Sequence, residues 1–140
     1  MKYKIIAKYI KNLNFQIPSP KAFFLLAENI SNYKINIDIK SNKFKDKIIE
    51  VETSLALNPT NNQSEIIETK ITHSTIVELK EEVSDKKELE KIILINVPSE
   101  VYSEIRKTFV YLFEKSGFKD IKIAETVDFK KLYESKKDQK

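Results

Sequence analysis

The feature that most constrains the fold is a change in the spacing of apolar residues along the chain. Up to Leu79 they recur at every second position over long stretches, which is typical of strands that bury one face. From Val101 to Phe113 they recur at helical spacing. Strands followed by helices predict an α+β fold, with the helices segregated at one end of an antiparallel sheet.

Four segments have the alternation of a strand. They are Tyr3–Ile17, Lys34–Lys40, Ile49–Leu57 and Ile67–Leu79. Polar turns at 41–46 and 58–62 connect the last three strands. Strands joined by such short loops run antiparallel, because a parallel pair needs a crossover of roughly a dozen residues. The sequence therefore predicts a four-stranded antiparallel β-meander.

The first strand is long, and its odd positions form a mostly apolar face. Ile6 and Ile10 interrupt the polar face, which predicts contact with another segment or another subunit. Pro18 and Pro20 end the strand because proline has no N–H to donate to a sheet. The apolar residues 21–28 are too few for more than two helical turns, so we expect a crossover loop there.

The last third of the chain carries the helices. The predicted elements are a short helix over 84–95, a long helix through Val101–Phe113, an extended segment over 118–123 and a short C-terminal helix over Val127–Tyr133. Gly117 is placed as the glycine that follows the end of a helix. Residues 1–140 are predicted to form a single domain, with 134–140 a frayed charged tail.

Composition excludes several kinds of function. A single glycine cannot build either of the common nucleotide-binding loops, and without cysteine there is no thiolate nucleophile or metal ligand. We therefore expect no cofactor and no metal. No apolar run approaches the ~20 residues that span a bilayer, and no leader pattern follows Met1, so we expect a cytoplasmic protein without stable membrane insertion. The net charge of +4 leaves nonspecific nucleic-acid binding as a minor alternative.

Individual polar residues point to structure rather than catalysis. His73 lies on the predicted core face of its strand, where a buried, hydrogen-bonded histidine is expected. Glu50 and Glu52, like Glu65 and Glu68, are typical of the solvated face of a strand. The sequence therefore predicts a protein that is not an enzyme.

Three segments, taken in order, resemble the SecB family of protein-export chaperones. They are Tyr9–Pro18, which resembles the family's opening run of an aromatic, Thr-Lys-Asp, Ser-Phe-Glu and proline; Asn96–Arg106, which resembles its Pro-x-x-Leu-Phe-Pro helix start; and Gly117–Phe118 with Val127–Tyr133, which resembles its closing Gly-Phe and Asp-Phe-x-x-Leu-Tyr. The resemblance spans nearly the whole chain.

The resemblance implies a fold and a function. The family's fold is a four-stranded antiparallel sheet with C-terminal helices, assembled as a homotetramer that is a dimer of dimers. Its function is that of a holdase, which binds unfolded precursor proteins in apolar grooves and keeps them competent for export through the Sec pathway. The implied partners are unfolded preproteins and the SecA motor.

The resemblance also assigns roles to residues. The implied polypeptide-binding positions are Phe15, Phe23, Phe24, Ile35, Ile37 and Ile39. The implied SecA-binding positions are Asn12, Gln16, Ile66 and Glu68. The family has carboxylates at the first two of these, whereas Asn12 and Gln16 are neutral. An alternative is therefore a SecB-like chaperone dedicated to one partner, such as an antitoxin.

Overall fold

The computed structural model describes residues 2–29, 33–59, 68–80, 85–118 and 123–138. Its strands are β1 (Tyr3–Gln16), β2 (Tyr33–Lys45), β3 (Ile48–Pro59) and β4 (Glu68–Leu79). They form one antiparallel sheet in the order β1-β4-β3-β2. The predicted class and number of strands are confirmed. The meander, however, covers only β2 to β4, because β1 joins the sheet beside β4 rather than beside β2.

The connection between β1 and β2 is a helix, not the loop expected from the sequence. Helix α1 (Pro20–Asn29) starts where the Ser19 hydroxyl accepts a hydrogen bond from the Ala22 N–H at 3.0 Å. Serine before a proline at the first helical position is a strong start signal, which the length-based expectation overlooked. Ten residues rise about 15 Å. That length matches the roughly 14 Å between strands three positions apart, so α1 can carry the chain from one edge of the sheet to the other.

Two bulges divide the long strand β1. The register with β4 slips between Ile5 and Ala7 and again between Ile10 and Asn12. Each slip adds one residue to β1 and reverses the face of the residues that follow. The alternation predicts that all odd positions share one face, and the two bulges show that they do not. Those from Ala7 to Lys11 point away from the helices.

Strand β2 continues beyond the predicted boundary. Residues 41–45, expected as a turn, extend the strand, and the turn is reduced to Asp46 and Lys47. Lys47 has φ of 64°, in the left-handed region that a glycine would usually occupy. A third register slip, between Lys43 and Lys45, leaves Phe44 as an extra residue in β2.

The C-terminal part is helical, as predicted. Its elements are α2 (Lys86–Lys91), a π-helical segment (Ile92–Asn96), α3 (Val97–Lys115) and α4 (Phe129–Asp138). Asp85 caps α2, and Gly117 follows α3 with φ of 101°. Of the predicted extended segment, residues 119–122 lie outside the described part of the chain. Helix α4 runs to Asp138 and so includes most of the segment predicted to fray.

The core lies between α3 and one face of the sheet, which is called here the helix face. Side chains of α3 that are fully buried include Val101, Ile105, Phe109 and Phe113. A belt of buried polar residues, Thr53, His73 and Thr75, separates the core into two clusters. The larger cluster packs under α1 and α4, and the smaller one packs under the π-helical segment. In the described residues, no helix is both long and apolar enough to cross a membrane.

The cap of α1 gives a first prediction. Ser19→Ala should lower the free energy of unfolding by about 1 kcal/mol, because the Ala22 N–H loses its acceptor at the helix start. Ser103→Ala, an exposed serine on α3, is the matched control and should change stability by less than about 0.5 kcal/mol. Urea unfolding at a fixed protein concentration measures both. Equal effects of the two substitutions would contradict the assignment of the cap.

Candidate functional site

An apolar surface lies where α1 meets the helix face. Phe15 packs edge-on against Phe113, with ring centroids 5.1 Å apart, and Phe23 packs against Phe118 at 4.8 Å. Phe24 contacts only the edge of this group, through the Phe23 ring at 5.4 Å, and its side chain is 62% exposed. The aromatic group is therefore buried where it meets the core and open to solvent on the side away from the core.

A row of isoleucines borders the same core along β2. Ile35, Ile37 and Ile39 alternate on the helix face of this edge strand, and all three are half-buried against the larger cluster. Phe15 and Phe23 are half-buried against that cluster as well. The structure thus brings five of the six predicted polypeptide-binding residues onto one cluster, and Phe24 joins them through Phe23. The six are called the apolar rim below.

Two of the predicted partner-binding residues, Asn12 and Gln16, lie on the opposite face of the sheet, called here the outer face. Asn12 and Gln16 are exposed on β1, opposite Thr72 and Glu68 of β4. Glu68 is the first residue of β4. Ile66 lies outside the described residues. Three of the four positions therefore lie on two adjacent strands.

A polar network across the outer face was not expected from the sequence. The Glu50 carboxylate of β3 accepts hydrogen bonds from Ser74 Oγ at 2.7 Å and from Tyr9 Oη and Asn42 Nδ2 at 3.2 Å. Lys11 Nζ lies 3.2 Å from both Glu50 oxygens and 3.3 Å from Glu52. All four strands contribute to this network, which is called the Glu50 network. The β1 bulges place Tyr9 and Lys11 on the outer face, and the alternating pattern of the sequence does not reveal these bulges.

The Glu50 network is suited to holding strands together rather than to proton transfer. Hydrogen bonds from Ser74, Asn42, Lys11 and Tyr9 outweigh the effect of burial and lower the pKa of Glu50 to about 2. A general acid or base works best with a pKa near the working pH. Glu50 therefore stays ionised at neutral pH and acts as a structural acceptor.

His73 is buried as predicted, although its surroundings differ from those expected. Its Nε2 lies 4.0 Å from Glu104 Oε2, while Lys8 Nζ donates to Glu104 Oε1 at 2.6 Å. Among the described residues its Nδ1 has no hydrogen-bond partner. Burial lowers the pKa of His73, and the Lys8 charge adds to this effect against the opposing influence of Glu104. His73 is therefore neutral near pH 7 and belongs to the polar belt of the core.

The free edge of β1 carries exposed apolar side chains. Ile6, Tyr9, Ile10 and Leu13 are between 46% and 49% exposed, and in the described chain β1 pairs with β4 alone. Ile10 and Leu13 point to the helix face, because they lie directly opposite His73 and Ile71 of β4. Half-exposed apolar residues on an unpaired strand edge are typical of a surface covered by another chain.

The fold, a four-stranded antiparallel sheet with helices packed on one face, is the one expected of the class of SecB-like chaperones. The family model described as "Preprotein translocase subunit SecB" matches residues 1–140. A "Putative protein-export protein SecB" of Pelagibacter ubique is 40% identical over 137 residues, which cover 96% of each chain. The protein-export protein SecB of Anaplasma phagocytophilum is 25% identical and covers 95% of this chain and 91% of its own. The chain belongs to the SecB family, and the predicted resemblance is confirmed.

A solved structure has the same fold. It is a SecB-like chaperone of Mycobacterium tuberculosis in complex with a ChAD peptide from an antitoxin. The TM-score is 0.66 at 12% identity, over 90% of this chain and 88% of that one. At this identity the likeness establishes the fold alone.

The Glu50 network predicts a specific pH dependence of stability. Because its pKa falls from 4.5 in the unfolded chain to about 2 in the folded one, ionised Glu50 stabilises the protein above pH 4.5. That stabilisation is lost as the pH falls toward about 2. Glu50→Gln should flatten the decline in urea midpoint over this range, whereas Glu114→Gln, an exposed carboxylate on α3, should leave the decline unchanged. Parallel curves for wild type and Glu50→Gln would contradict the role of the network.

Proposed function

We propose that this SecB-family chain is a holdase that binds unfolded precursor proteins at the apolar rim and keeps them competent for export. The observation that carries the proposal is the exposed Phe24 ring beside five half-buried apolar residues. The half-buried side chains are already held in place by the core, so the chaperone itself loses little side-chain entropy when a client binds. The open outer side offers apolar contact area that does not depend on the client's sequence.

The edge strand β2 supports binding of extended chains. In the described residues β2 pairs with β3 alone, so its second edge has backbone donors and acceptors available for a client strand. Main-chain hydrogen bonds to an added strand give affinity without reading side chains. Ile35, Ile37 and Ile39 lie along this edge and would contact every second side chain of such a client.

Binding without chemistry is also part of the proposal. The two titratable groups with the most distinctive surroundings are Glu50, which stays ionised, and His73, which stays neutral and buried. Neither has the pKa or the accessibility expected of a group that moves protons for a substrate. We therefore infer a chaperone that catalyses nothing. From membership of the SecB family we infer further that it uses no cofactor and acts in the cytoplasm.

We propose further that the β1 edge is covered by a second copy of the chain. Antiparallel pairing of two β1 edges would bury Ile10 and Leu13 and would satisfy the free backbone groups of both strands. A closed two-fold dimer of this kind has the exposed side of α3, including the 56% exposed Tyr111, available for a second contact. A homotetramer built as a dimer of dimers follows from these two surfaces.

The outer-face positions that the resemblance assigns to SecA lack two of the implied charges. The exposed amides Asn12 and Gln16 take the place of the carboxylates that the resemblance implies. Neutral side chains weaken the attraction to a basic partner. This observation favours the second candidate function, a chaperone dedicated to one partner protein, and the related chaperone bound to an antitoxin peptide provides a precedent. Rescue of a single partner, without an effect on exported proteins in general, would select this second function.

Phe24 provides the direct test of the apolar rim. Phe24→Ala should weaken binding of a chemically unfolded client about tenfold, because it removes the most accessible ring of the surface. The measurement is fluorescence titration, together with suppression of client aggregation. Phe44→Ala removes an equally exposed ring, also 62% accessible, from the outer face and should leave client binding unchanged. The same loss in both variants would show that binding is merely hydrophobic, and no loss in Phe24→Ala would overturn the assignment.

The β1 edge provides a test of assembly. Ile10→Asp should dissociate the oligomer, because it would bury a carboxylate without a partner between two strands. Leu132→Asp places the same charge on the 41% exposed Leu132 of α4 and serves as the control. Light scattering coupled to sizing chromatography measures the mass of each. A monomeric wild type, or an oligomer that survives Ile10→Asp, would contradict this interface.

A further inference from the structure

The outer face contains a second apolar feature that the holdase function does not use. A cavity of about 320 Å³ lies between the turn that joins β2 to β3 and the centre of the sheet. Its lining residues are Tyr9, Asn42, Lys43, Phe44, Glu50 and Ile76. It is called the Phe44 pocket below. The apolar rim lies on the helix face, so the two surfaces are on opposite sides of the sheet.

The bulge in β2 creates the Phe44 pocket. Asn42 reaches Glu50 and Glu52, which places it on the outer face. Because Phe44 is the extra residue at the register slip, its ring borders the outer-face pocket and is 62% exposed. An exposed phenylalanine beside a concavity with an isoleucine in its lining contributes little to the stability of the chain itself. Such an arrangement is typical of a pocket that receives one apolar side chain of a partner.

The charge around the pocket indicates the chemistry of that partner. Residues 40–47 contain four lysines and one aspartate, a net charge of +3 within a chain whose total is +4. The nearby Lys4, Lys11, Glu50, Glu52 and Glu78 together add −1, which leaves +2. All the Glu50 network donors point at the two glutamates, so these carboxylates are already engaged. The net charge around the Phe44 pocket is therefore positive and attracts anions.

We propose that the Phe44 pocket docks an acidic segment of a partner protein, with one apolar side chain in the cavity and flanking carboxylates on Lys40 and Lys45, which lie on the outer face opposite Glu52 and Ile48. The position of Phe44 favours a peptide over a membrane surface. The tip of the turn is formed by Asp46 and Lys47, and Phe44 borders a cavity behind that tip. A convex side chain fits a cavity, whereas insertion into a bilayer requires an apolar residue at the most protruding point and no carboxylate beside it.

This pocket is distinct from the predicted SecA-binding positions in place and in sign of charge. Gln16 pairs with Glu68 at one end of the sheet, whereas Phe44 lies at the other end, near the pairing of Ile48 with Glu78. A partner that recognises carboxylates at the first end would be basic, and the partner of the Phe44 pocket is acidic. Binding of an acidic partner at the Phe44 pocket is therefore independent of SecA docking and of client binding at the apolar rim.

The test uses the full chain and short fluorescent peptides. The probe has one phenylalanine between runs of glutamate, and its two controls replace the glutamates by lysines or the phenylalanine by glycine. We expect the glutamate-phenylalanine peptide to bind best, with affinity that decreases as salt is raised. Phe44→Ala should weaken this binding about tenfold, and the double variant Lys40→Glu with Lys45→Glu should abolish it.

The matched variant for this test is Phe24→Ala, which should bind the peptide as the wild type does. Loss of binding in Phe24→Ala but not in Phe44→Ala would mean that the peptide is held as a client, and would overturn the inference. Equal binding of the glutamate and lysine peptides would overturn it as well. If phosphatidylglycerol vesicles or single-stranded RNA bind through Phe44 and the peptide does not, the acidic peptide is the wrong ligand and the inference is overturned. Unchanged thermal unfolding of Phe44→Ala confirms that the fold is intact.

Discussion

The packing of a single long helix on a four-stranded sheet is the constraint on which the rest of the structure depends. Helix α3 contacts the two central strands, β3 and β4, and buries Val101, Ile105 and Phe109 against them. A helix with its side chains is about 10–12 Å wide, whereas four strands span roughly 19 Å. One helix therefore cannot cover the sheet, and α1, α4 and the π-helical segment cover the rest of this face only in part. The margins at β1 and β2 stay half-open, and these are where the exposed β1 edge and the apolar rim lie.

Spacing along the chain predicts the class of fold, since a period of two or of 3.6 residues follows from backbone geometry alone. It does not predict the bulges of β1, because one inserted residue reverses a face without changing the composition on either side. Tyr9 and Leu13 show the consequence: both are odd positions, yet Leu13 points to the helix face and Tyr9 reaches Glu50 on the outer face. Long-range pairing also decides the strand order, and no local pattern encodes the placement of β1 beside β4.

The candidate sites were predictable to different degrees. The six residues of the apolar rim were identified from a resemblance, and the structure places them on or beside one cluster. The Glu50 network could not be identified in that way, because it joins Lys11, Asn42 and Ser74 across four strands. A glutamate in an alternating strand looks the same in the sequence whether it is solvated or surrounded by donors. Only the register distinguishes the two cases.

The two faces of the sheet differ in the kind of interaction that each can make with a partner. In the proposed function, the apolar groups of the helix face bind a client by excluding water, an interaction that does not depend on the sign of charge on the bound chain. The outer face is polar and held together by Glu50, so binding there depends on the sign and placement of charge. Glu50 and Lys11 neutralise each other at the centre of this face, which leaves the lysines around Phe44 as its main local charge. Since that charge is positive while Asn12 and Gln16 are neutral, selectivity on the outer face favours acidic partners.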